Sequence, residues 1–185
     1  MPKPTASTKR EKDTQRSTAR KAEPDAIALL KADHRQVESW FEEFEKARAS
    51  NRKQELANQI CEALTVHTTL EEEIFYPAFF EATEEEDLHN EAQVEHDGAK
   101  YLIKKIEASG PDDELFDAQV KVLSEMIKHH VNEEEKRDGL FAKSRQSEMD
   151  LEALGEQLAS RKAELMNDTR SKSSRPQAGG DLRGR

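Results

Sequence analysis

The chain has 185 residues, 37% of them charged and 5% aromatic, enough for one domain with a real core plus tails. The net charge of -10 is uneven: residues 1–22 hold seven Lys/Arg against two Asp/Glu, and residues 161–185 hold seven against three, so the middle carries -19 between basic ends. A single cysteine, Cys61, excludes an intramolecular disulfide and a Cys-rich zinc or iron–sulfur site, and no apolar run of about 18 residues exists to span a membrane.

Residues 1–23 read as a disordered basic arm. The opening MPKPTASTKREKDTQR has no apolar h-region and is not a secretory signal, so a cytoplasmic protein is expected. The arm's cations lack interleaved aromatics or a folded motif, and nucleic-acid binding is not expected of it.

Residues 24–147 read as four long helices. After Pro24, Ile27, Leu30, His34, Val37, Phe41 and Phe44 recur at spacings of three and four, one inward stripe of a first helix. The ASN stretch at 49–51 supplies a break and a candidate N-cap. A second helix carries Leu56, Ile60, Leu64, His67, Glu71 and Ile74 and ends around Pro77; a third carries His89, Ala92, His96, Ala99, Ile103 and Ile106. SGPDD at 109–113 breaks the chain and caps a fourth helix from near Glu114, with stripe Phe116, Val120, Leu123, Ile127, His130 and Glu134, ended by Asp138-Gly139. Four helices on short loops pack as an all-α, up-down-up-down bundle. Residues 148–166 add a weaker C-terminal helix with Leu151, Leu154, Leu158 and Leu165, and residues 167–185 read as a disordered basic tail.

Each of the four stripes carries a histidine at mid-helix or beyond: His34, His67, His96 and His130. Two of the helices add a glutamate four residues on, Glu71 and Glu134, on the same face. A buried ionisable group is costly unless paired or metal-bound. Imidazole with carboxylate and no sulfur suits iron, manganese or zinc, and two glutamates from different helices are able to bridge two ions. Single HxxxE matches such as His34–Glu38 are weak in a chain this acidic; the set of one histidine per helix is what carries weight. A ferritin-like site needs paired ExxH motifs, and only Glu86–His89 has that spacing.

The stretches KADHRQVESWFEEFE, LTVHTTLEEEIFYPAF, AQVEHDGAKYLI and MIKHHVNEEE together resemble the hemerythrin-like HHE cation-binding domain, over about residues 25–137. The resemblance implies a four-helix bundle around a non-haem di-iron centre with two carboxylate bridges and an oxo or hydroxo group. Its metal ligands, carried over, are His34, His67, Glu71, His96, His130 and Glu134. Oxygen-carrying hemerythrins have a further histidine four residues from the third-helix one. Here those positions are Ala92 and Lys100, and His89 lies two turns away. The resemblance is therefore to the four-histidine, two-glutamate members, some of which act in oxidative or nitrosative stress and iron handling. An open metal position and reaction with dioxygen, peroxide or nitric oxide follow, rather than reversible oxygen transport.

The alternative is a non-catalytic interaction or scaffold bundle with a structural zinc or no metal. Three points stay open between the residues themselves. In HHVNEEE the stripe upstream of His130 is wholly apolar, which favours His130 with Glu134 over His129 with Glu133. The polar KRDG after Glu134, where IFYP follows Glu71, predicts a more exposed second half-site. Asp33, Glu38 and Glu95 are candidate acceptors behind the imidazoles, though a solvated role is expected of them; Tyr76 and Tyr101 are expected in the core or at helix ends, Trp40 on the bundle flank, and Cys61 in packing.

Overall fold

The computed structural model of the protein describes residues 24–173. The order is α1 (Ala26–Lys46), α2 (Ser50–Leu70), a π-helical turn (Glu71–Phe75), α3 (Tyr76–Thr83), α4 (Glu86–Glu107), α5 (Phe116–Glu135), α6 (Leu140–Gln146) and α7 (Leu151–Ser173). Helices α1, α2, α4 and α5 form the expected bundle: α1 packs on α2, α2 on α4, α4 on α5 and α5 on α1. The last helix, α7, lies against α1 and α2.

Local chemistry sets most of the boundaries. The Asp25 carboxylate caps α1 by accepting from the Ala28 N–H at 2.8 Å. Ala49 stands at the N-cap of α2 with no side-chain bond, so the Ser50 and Asn51 side chains do not serve there. Asp113 accepts from the Leu115 N–H at 2.8 Å and α5 starts at Phe116 rather than near Glu114. It ends at Glu135, before the expected Asp138-Gly139. Gly139 is needed for close approach instead: a Cβ there would lie 2.3 Å from the Glu133 carbonyl oxygen.

Three further expectations are corrected. The second helix does not stop at Pro77; it continues through the π turn into α3, with Pro77 in the first turn of α3. The π turn inserts one residue, so Glu71, Phe75, Tyr76 and Phe79 are buried while Ile74, on the expected stripe, is only partly so. Residues 167–173 are helical because α7 runs on to Ser173. The arm 1–23 and the tail beyond 173 lie outside the described residues.

Two apolar clusters fill the bundle. One holds Val37, Phe41, Leu56, Ile60, Ile103, Phe116 and Leu123 among others. The second holds Leu30, Leu70, Phe75, Phe79, Leu140, Phe141 and Leu158. Each fully buried Leu or Phe contributes about 1.5–3 kcal/mol. Between the clusters lies a layer of buried polar side chains.

Candidate metal centre

His34 comes from α1, His67 from α2, His96 from α4 and His130 from α5, and none is more than 4% exposed. Glu71 (0%), at the start of the π turn, and Glu134 (2%), in the last turn of α5, join them. All four imidazoles turn Nε2 to the bundle axis. His34 and His67 meet there at 3.0 Å, and His96 and His130 at 3.2 Å. Glu71 Oε2 lies 3.2 Å from His67 Nε2 and 3.3 Å from His96 Nε2. Glu134 Oε2 lies 3.4 Å from His34 Nε2 and 3.7 Å from His130 Nε2. The carboxylates thus stand between two histidine pairs, and Glu71 is shared by two groups of convergent ligand atoms, His34–His67–Glu71 and Glu71–His96–His130.

Facing outward, three of the four Nδ1 atoms bond a glutamate, and the fourth has an aspartate nearby. Glu135 faces His34 at 2.9 Å, Glu72 faces His96 at 3.0 Å, Glu95 faces His130 at 2.7 Å, and Asp33 stands 3.7 Å from His67. Carboxylates so placed fix the tautomer that leaves Nε2 free to bind a cation. Asp33 and Glu95 were expected to be solvated and are not; Glu38 pairs with Arg35 instead, at 2.9 Å. Glu72 and Glu135 are positions of the candidate site that stripe reading passed over. Each follows an inward glutamate by one residue, about 100° round the helix, where it reaches the histidine of a neighbouring helix.

Tyr76 was expected to be core and is buried, but its hydroxyl is in the polar layer. It donates to Glu134 Oε1 at 3.0 Å and lies 3.2 Å from His96 Nε2 and 3.4 Å from Glu71 Oε2. Only the π turn aims it there. Five residues along an α-helix would point it about 140° away from Glu71. His89 packs edge-on to the Tyr76 ring at 6.0 Å. Tyr101 is 61% exposed, Trp40 packs on the flank of the first cluster, and Cys61 is buried in it.

The second half-site is as closed as the first. His130 and Glu134 are buried while the His129 side chain, on the flank, is 63% exposed and 3.3 Å from Glu95. The polar KRDG makes a tight turn after which Leu140 and Phe141 of α6 fold over the site, the Phe141 ring stacking on His34 at 5.8 Å.

Charge in this layer is unevenly held. Burial lowers His34 to about 4, Glu135 offsetting only part of it. Burial also opposes charge on His67, yet Glu71, Asp33 and Glu134 outweigh it and hold the imidazolium up to about 10. Against burial, His67 and His96 keep Glu71 well below the usual carboxylate range, whereas burial and the Glu71 charge push Glu134 up to about 8. Burial, then Glu134 and Glu71, raises Tyr76 and keeps it a phenol. Two carboxylate oxygens within the layer, Glu71 Oε1 and Glu134 Oε2, have no hydrogen-bond donor. Buried acceptors without donors at the centre of an N/O ligand set fit a metal site.

The sequence matches the Hemerythrin HHE cation binding domain family over residues 25–139. A DNA nickase of Nostoc sp. is 30% identical over 110 residues, 58% of this chain, and the chain spans 30% of that protein's length. The crystal structure of a hemerythrin HHE cation binding domain-containing protein from Mycobacterium kansasii has a TM-score of 0.68 at 23% identity. That likeness covers 80% of this chain and 91% of that one and shows a shared fold. The match runs from the N-cap of α1 past the end of α5 and encloses all four histidines, so the chain belongs to the hemerythrin HHE cation-binding domain family.

Proposed function

We propose that the protein is a non-haem di-iron protein that reacts with or senses a small oxidant, in a stress response or in iron handling, in the cytoplasm. The observation that carries this is the sharing of Glu71 between two histidine pairs whose Nε2 atoms all face one axis. His34, His67 and Glu71 would hold one ion and His96, His130 and Glu71 the other, with Glu134 as second carboxylate between them and the Tyr76 oxygen beside the His96 side. Bound there, iron supplies reversible electron transfer toward dioxygen, peroxide or nitric oxide.

The chain's own residues support such a ligand size. A cavity of about 10 Å³ lies against His34, His67, His96 and His130, walled by Val37, Leu64, Thr68, Ile127 and Val131. That is about the space of a single water, which limits entry to the smallest ligands. Glu135, Glu72 and Glu95 orient the imidazoles, and Tyr76 holds the proton that satisfies Glu134. The scaffold reading leaves buried carboxylate oxygens without a purpose. Nicking of DNA belongs to a protein of which this chain spans 30%, and it has no counterpart in this function.

Metal analysis with absorption spectra tests it. The chain purified after anaerobic iron loading is expected to hold about two ions and to show near-UV and visible bands that change on exposure to oxygen or nitric oxide. A colourless, metal-free chain overturns the proposal. His67→Ala should lower iron stoichiometry, and unchanged binding would refute the ligand set.

A further inference from the structure

The four imidazoles are not held alike. Nδ1 of His34, His96 and His130 meets a glutamate at 2.9, 3.0 and 2.7 Å. Nδ1 of His67 is buried without a hydrogen-bond partner, and the carboxylate that faces it, Asp33, stops at 3.7 Å. The other oxygen of Asp33 is bonded to Lys162, on α7.

A cation on the outer carboxylate does not by itself explain the gap. Lys31 and Arg35 contact Glu135, and Lys100 contacts Glu72, yet both glutamates still reach their histidines. The difference is length. Asp33 is the one aspartate among the four outer carboxylates, a methylene shorter than the rest, and it spans its two partners only by falling short of one. Lys162 wins because α7 is fixed independently. Arg161 grips Glu73 through two bonds of 2.8 and 3.1 Å, Leu158 is fully buried, and Gly155 lets the α7 backbone approach Pro24, where a Cβ would lie 2.5 Å from its carbonyl oxygen. This helix lies beyond residue 139, outside the span matched to the family.

A ligating histidine whose second nitrogen is anchored binds metal more strongly and is better oriented. We propose that Lys162 is a positioning residue that withholds Asp33 from His67, so that α7 makes the His34–His67 ion the more weakly held of the two. This rests on the metal reading above and adds to it a helix outside the span matched to the family.

Zinc is the probe, titrated stepwise into the metal-free full chain against a chromophoric chelator. Lys162→Met frees Asp33 and is expected to tighten the weaker step about tenfold while leaving the tighter one unchanged. Asp33→Glu, whose longer arm spans both partners, should shift the same step the same way; Asp33→Ala should weaken it; Lys162→Arg should behave as the parent. Arg161→Ala removes one anchor of α7 and should shift the same step in the same direction, but by less than Lys162→Met. In the zinc-loaded protein, the His67 Nδ1 proton should exchange more slowly in Lys162→Met than in the parent. An unchanged or weakened step in Lys162→Met, or a shift of the tighter step in its place, overturns the inference while two-ion binding by the parent upholds the metal reading. A parent chain that takes up no zinc or iron overturns both.

Discussion

On the side of the histidines where Phe41, Leu56, Ile103 and Phe116 meet, four helices close the bundle unaided. On the other side they do not. There the π turn rotates Phe75, Tyr76 and Phe79 inward, and Leu140 and Phe141 of α6 and Leu158 of α7 complete the roof. The plain end follows the 3.6-residue period throughout, and an apolar plug results. The roofed end breaks that period by one residue and gains what a regular helix would withhold, a phenol among the candidate ligands and a lid over Glu134. Regular packing seals the layer; the irregularity equips it.

Deleting one residue at either end should expose this difference most strongly. Loss of Gln59, in the regular part of α2, rotates His67, Glu71 and everything after them by about 100° relative to Leu56. That variant is expected to lose both cooperative melting and metal binding. Loss of Ile74 should do less harm, because Glu71, Phe75, Tyr76 and Phe79 then fall at the i, i+3, i+4 and i+7 positions of an unbroken α-helix, with Pro77 inside it costing about 3 kcal/mol. The i→i+5 bond from the Tyr76 N–H to the Glu71 carbonyl becomes an ordinary i→i+4 bond. Thermal melts by circular dichroism with metal content check both; equal damage would show that the π turn is more than a register shift.

Large-to-small changes come next. Phe116 and Phe75, one at each end, are both fully buried. Each change to alanine should cost about 3–5 kcal/mol in chemical denaturation. Only Phe75→Ala adjoins the turn that carries Glu71 and Tyr76, so it alone should also reduce metal stoichiometry. Tyr76→Phe is milder. It removes the one donor to Glu134 Oε1 and should destabilise the metal-free protein by about 1–3 kcal/mol, with the fold kept.

The same contrast explains what the sequence could show. His34, His67, His96 and His130 were legible because each interrupts an apolar stripe at spacings of three and four, and a buried polar group needs a reason. Their convergence with Glu71 and Glu134 needs only four such stripes facing one axis. Tyr76 was not legible, since a π insertion has no periodic signal and stripe counting puts Ile74 inward instead. The lid was hidden as well: KRDG reads as polar and open, yet it is the turn that returns Leu140 and Phe141 over the site. The outer carboxylates stand one residue off the stripes, Asp33 and Glu95 just before an inward histidine, Glu72 and Glu135 just after an inward glutamate. In a chain with 39 Asp/Glu such neighbours carry no signal until the helices are placed side by side.

Cys61 offers the finest test, because it reports on the plain end alone. It is 2% exposed within the first cluster, and burial, with a smaller push from Glu107, raises its thiol to about 12. The thiolate is the reactive form, so near pH 8 the native chain should resist alkylation and label fully only in denaturant. Label that does appear must pass through an opening of that end. If the polar layer separates two independently opening halves, Phe116→Ala should accelerate Cys61 labelling well beyond what Phe75→Ala does, despite similar losses of global stability. Equal acceleration, followed by mass spectrometry over time, would instead make the bundle one cooperative unit, with the roof and the plug opening together.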